Sequence, residues 1–160
     1  MNNQNITPES LKKVINEIAQ YRGVIIQDSI SIEAMIDSII INYFIKENKH
    51  SEFLTKVIED EGFSFGIKIN ILEKLNFEIY KDFIQDLRRI NNIRNIFAHC
   101  LPGSFTGGLS YYNKNKKEIE VKELGELHSE FLDKIKRVDE QLKKLFWILV
   151  EENKKEKNER

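Results

Sequence analysis

Hydrophobic positions recur at helical spacing through the first half of the chain, with few interruptions. "TPESLKKVINEIAQYR" offers Thr7 as an N-cap, Pro8 at the first helical position and Glu9 behind it, so a helix begins there. Ser10 stands where a full capping box would place Glu or Gln. From Gly23, the segment "VIIQDSISIEAMIDSIIINYFI" is rich in β-branched residues, which alone would suit strands. Its length and its i, i+4, i+7 recurrence favour a buried helix. Gly23 is either a break or a close-packing point between two helices. Shorter helices follow around "SEFLTKVIED" and "FGIKINILEKL", parted by the turn "EGFS", and a longer one runs from about Phe77 to His99.

After His99 the pattern changes. Pro102, Gly103, Gly107 and Gly108 punctuate a loop, and "LSYY" and "EIEV", joined by the polar "NKNKK", suit a short β-hairpin. The last segment places Leu127, Phe131, Ile135, Val138, Leu142 and Leu145 at spacings of three or four, as one long amphipathic helix. The fold class expected is all-α: one helical bundle over residues 1–152, with the hairpin before the last helix and a charged, frayed tail at 153–160.

Composition narrows the function. The 160 residues suffice for one well-formed core, and a formal charge of −1 argues against a surface that is basic throughout. A single cysteine, Cys100, excludes an intrachain disulfide, and with His50, His99 and His128 it gives no zinc-ligand spacing. No structural metal and no cofactor are expected. The start "MNNQNITPES" lacks a secretory pattern and no apolar run approaches the ~18 residues of a membrane span, so a cytoplasmic protein with no membrane association is expected.

Candidate chemistry comes from charges on the apolar faces. A helix advances ~100° per residue. On the Phe77–His99 segment, Tyr80, Phe83, Leu87, Ile90, Phe97 and Ala98 share a face, and Arg94 falls in the middle of it. Gln27, Ser31, Ser38 and Asn42 form the polar stripe of the earlier helix, and Glu33 and Asp37 lie roughly opposite, among isoleucines. A buried guanidinium requires a carboxylate, a phosphate or a wet cleft, so these residues predict an interhelical cluster of Arg94 with Glu33 and Asp37. A second stripe, Arg88, Asn92, Asn95 and His99, follows at spacings of four, three and four. His99 comes where the helix should end, where an imidazole can project into a cleft or bond helix-end carbonyls. His50 and His128 suit the surface, and Cys100 suits an inert buried thiol.

"RNIFAH", Arg94 to His99, matches the R-x4-H motif of the HEPN superfamily, with a polar residue, Asn95, directly after the arginine. Preceded by "IIQDSISIEAMIDSIIINYF" and "GFSFGIKINILEKL", it resembles that superfamily over roughly Tyr21 to His99, most closely its mannitol-repressor-like branch. The resemblance implies a helical bundle that dimerises, and a metal-independent endoribonuclease of the toxin or phage-defence type. Arg94 would hold the scissile phosphate, His99 would act as general acid or base, and Asn95 would orient a phosphate or a ring. Arg88 and Arg89 are candidates to track the RNA backbone. The partners implied are RNA, a second copy completing a composite active site, and an antitoxin or regulatory protein. Where one antitoxin-paired branch carries a tyrosine two residues after the histidine, this chain has Leu101, so control by modifying that tyrosine does not transfer. The alternative is a non-catalytic HEPN regulator or scaffold acting through protein partners. Direct DNA binding has least support, since no recognition helix is evident.

Overall fold

The computed structural model describes residues 8–45, 49–58, 60, 62–99, 101–102, 108–113 and 118–158. Its framework is a helical bundle, with helix α1 at Pro8–Phe44 and a single turn, α2, at His50–Phe53 that continues as a π-helical stretch over Leu54–Ile58. Helices α3 at Phe65–Lys74 and α4 at Phe83–His99 follow, and α5 at Leu124–Asn158 closes the bundle. Between α4 and α5 lie three short antiparallel strands, β1 at Leu101–Pro102, β2 at Gly108–Asn113 and β3 at Glu118–Glu123, in the order β1-β2-β3. Tyr111 stands opposite Glu120 in the β2–β3 pair.

Three expectations need correction. The helix through Gly23 is unbroken, and a Cβ built there would meet nothing within 4 Å. Gly23 is thus neither a break nor a close-packing point; fifteen helical residues precede it and carry the helix across. The fourth helix starts at Phe83, not near Phe77, because Asn76 turns the chain with φ 51° after α3. Asparagine tolerates that left-handed conformation. Phe77, Ile79 and Tyr80 then pack on the core from outside any helix. The tail, too, is helical as far as Asn158, since Asn153 Nδ2 donates to the Asn42 carbonyl at 3.1 Å and ties this end of α5 to α1.

Contacts fix the helix directions. Tyr21 packs on His128 with ring centroids 4.2 Å apart, and Asn42 meets Asn153, so α1 and α5 run the same way. Arg89 meets Glu130 and Asp86 meets Lys134, so α4 opposes α5. Helix α1 touches α3, α4 and α5. Its isoleucines, Ile18, Ile25, Ile32, Ile36 and Ile39, meet Phe83, Leu87, Ile90 and Phe97 of α4 and Phe131, Val138 and Leu142 of α5 in one buried core. Burying side chains of this size contributes about 1.5–3 kcal/mol each. The polar stripe of α1 faces outward at Gln27 and Ser31. Ser31 and Ser38 bond the carbonyls one turn back. Among the described residues, no helix is long and apolar enough to cross a membrane.

Candidate functional site

Helix α4 persists to His99, so the stripe Arg88, Asn92, Asn95 and His99 does share one face; Arg88, Asn92 and His99 are exposed and Asn95 is half-buried. Arg94 is also half-buried, beside Ile90 and Phe97 of the core face, and its Nη1 donates to Asn95 Oδ1 at 3.1 Å. Asn95 Nδ2 in turn reaches Asn91 Oδ1 at 3.5 Å. Five residues apart on a helix, Arg94 and His99 leave the axis about 140° apart and ~7.5 Å along it. Within one chain they flank the end of α4 rather than converge.

The expected cluster of Arg94 with Glu33 and Asp37 is overturned in its cation. Glu33 and Asp37 do share a face of α1, but Lys68 of α3 meets them. Its Nζ lies 2.8 Å from Glu33 Oε1 and 3.0 Å from the Asp37 carboxylate. Among the described residues, Arg94 makes no salt bridge. The reason is position along the axes: α3 packs on the part of α1 that carries the two carboxylates. Lys68 is 5% exposed. Burial penalises its charge, but the two carboxylates outweigh that and push the ammonium above its ordinary range.

Arg88 and Arg89 diverge instead of forming a single track, as adjacent helical residues must. Arg88 turns to α3, bonding Glu73 at 2.7 Å and Asn70 at 3.4 Å, and Arg89 holds Glu130 of α5 through two bonds at 2.7 and 2.6 Å. The Arg88 pair is half exposed on both sides, so it is open to exchange with another anion and contributes under about 1 kcal/mol. The Arg89 fork is geometrically better and more covered, which makes it a brace between α4 and α5.

A second charged group was not foreseen from the sequence. Asp86, 3% exposed, accepts from Lys134 Nζ at 2.6 Å, Arg137 Nη2 at 2.9 Å and the Tyr80 hydroxyl at 3.1 Å. Burial opposes ionisation of Asp86, yet the bonds from Lys134 and Arg137 prevail and hold its carboxyl below the usual range. Burial, then the Asp86 charge, pushes the Tyr80 phenol up to about 12. The signal was available: Asp86 lies three residues after Phe83 and four before Ile90, inside the apolar face. With three of the protein's own donors on its carboxylate, this group braces α4 against α5. Among the described residues, no group of three His, Cys, Asp or Glu side chains could hold a metal ion.

No family model, no curated protein and no solved structure matches the chain.

Proposed function

We propose that the chain is a metal-independent endoribonuclease of the HEPN type, acting as a symmetric dimer. The observation that carries the reading is the end of α4. There a half-buried guanidinium without a carboxylate partner among the described residues is steadied by Asn95, one turn from an exposed imidazole. Arg94 is suited to bind a phosphate and to stabilise charge growing on it. RNA supplies its own nucleophile, the 2′-OH. His99 takes or returns a proton, the phosphorus–5′-oxygen bond breaks, and a 2′,3′-cyclic phosphate and a 5′-OH result. Since Arg94 and His99 leave one helix in different directions, a cleft that uses both is better completed by a second copy, which brings another histidine for the second proton. Restraint by an antitoxin or another regulatory protein, in a toxin or phage-defence setting, belongs to the same proposal.

The test is cleavage of mixed-sequence RNA in EDTA with product ends mapped. The wild type is expected to leave cyclic-phosphate ends and to spare DNA. His99→Ala is expected to lose about 10²–10⁴-fold in rate, the usual scale of general acid–base catalysis. Its denaturation midpoint should stay unchanged, because His99 is exposed. A wild type inactive on varied RNAs, with His99→Ala indistinguishable from it, overturns the ribonuclease and favours a non-catalytic HEPN regulator.

A further inference from the structure

Between Arg88 and His99 the outer side of α4 is built of amides. Asn91, Asn92 and Asn95 stand in a helix interior, where asparagine is a poor helix former, and no acidic residue follows Asp86 along α4. A face that only met water would carry charges of both signs one turn apart. Amides donate and accept, and they repel neither a base edge nor a phosphate. Arg88 ends this face with its guanidinium only partly engaged. Its contacts to Glu73 Oε2 at 2.7 Å and Asn70 Oδ1 at 3.4 Å both go through Nη2, so among the described residues nothing takes Nε or Nη1. Arg89, by contrast, closes its fork on Glu130 with Nε and Nη2. The Arg88 and Glu73 side chains are 51% and 46% exposed, which leaves the pair within reach of an anion from solvent.

We propose that this side of α4 is the bed of a single RNA strand, that Arg88 holds a phosphate remote from the scissile one, and that Glu73 occupies Arg88 until that phosphate arrives. The proposal takes its substrate from the ribonuclease reading and adds to it a subsite and the contact that keeps the subsite closed. Arg88 and His99 are separated by ~16.5 Å along the helix axis and only about 20° around it. A stacked strand carries one phosphate per ~3.4 Å, so the span is about five nucleotides. Either two-bond grip on a phosphate uses Nη2, beside Nε or beside Nη1. Glu73 sits on Nη2, so its carboxylate and the phosphate compete for the same nitrogen and repel each other as well. An exposed ion pair is weak enough for a polyanion to displace. RNA too short to reach Arg88 leaves the pair closed, and longer RNA opens it.

The test uses the full chain carrying His99→Ala, which binds without cleaving, and fluorescein-labelled single-stranded RNAs of about three and about twelve nucleotides, shorter and longer than the span. Anisotropy is read over a salt series. In this background Arg88→Gln should weaken binding of the longer RNA about five- to tenfold and leave the shorter one unchanged. It should also flatten the slope of log affinity against log salt by about 0.7, the loss of one phosphate contact on a single strand. Glu73→Gln should tighten the longer RNA about threefold, by freeing Nη2. Lys143→Gln, the same change of charge at an exposed position on α5, should do none of this. Binding of neither RNA overturns the inference. So does an Arg88→Gln protein that binds the longer RNA as its parent does, or that loses both RNAs alike. If the wild type nonetheless cleaves RNA, the ribonuclease reading stands without this subsite. Arg88-dependent binding of the longer RNA, with a wild type that cleaves nothing, upholds the strand bed and removes the ribonuclease.

Discussion

Two basic residues, Arg94 and Lys68, occupy apolar faces of their helices, and their fates differ. Lys68 follows Phe65 by three and precedes Leu72 by four, so its place on the buried face of α3 was as legible as that of Arg94 on α4. Periodicity also put Glu33 and Asp37 on the correct side of α1. It could not say which cation would reach them, because spacing fixes an angle around one axis and not the level at which two helices meet. The stability role expected of Arg94 therefore passes to Lys68. Lys68→Met should cost about 3 kcal/mol in urea denaturation at neutral pH, by leaving Glu33 and Asp37 together without their cation. Arg94→Ala should shift the same curve by less than about 1 kcal/mol, since no ion pair among the described residues is lost with it. A larger loss for Arg94 than for Lys68 would reverse this assignment.

Between elements, the strongest polar join is that of α4 with α5. The extent and amphipathicity of α5 were plain in the sequence, as was the apolar face of α4. The onset of α4 was not, because the apolar residues from Phe77 to Tyr80 continue its pattern while the backbone turns at Asn76. The donors of Asp86 were hidden for another reason: Lys134 and Arg137 lie on the edge of α5, where lysine and arginine ordinarily face water. Asp86→Asn keeps the shape but removes the charge, and should destabilise by about 1–3 kcal/mol at pH 7. The pH dependence has a definite sign. The unfolded carboxyl takes up its proton near 3.8, the folded one at lower pH, so acidification favours the unfolded chain. The Asp86 contribution is complete above about pH 4 and is lost as pH falls through the folded value. Urea midpoints followed down from pH 6 should drop more steeply for wild type than for Asp86→Asn. Parallel profiles would remove Asp86 from the acid limb.

For the molecule as a whole, the two buried charged groups join different pairs of helices around one core. Lys68 with Glu33 and Asp37 ties α3 to α1, and Asp86 with Tyr80, Lys134 and Arg137 ties α4 to α5. The two groups share no side chain, and α1 and α4 themselves meet through apolar residues of the core. They also act at opposite ends of the pH scale. The folded Lys68 ammonium is pushed above its ordinary 10.5, so its contribution is complete below that value and lost as pH rises through the folded one. Because the two groups have no side chain in common, the two losses should add. Lys68→Met combined with Asp86→Asn is expected to lower stability by the sum of the single effects within about 0.5 kcal/mol, in a single cooperative urea transition. A shortfall or excess beyond that margin would mean that α4 shifts when either group is broken. The position of Arg94 and His99 at its end would then depend on both.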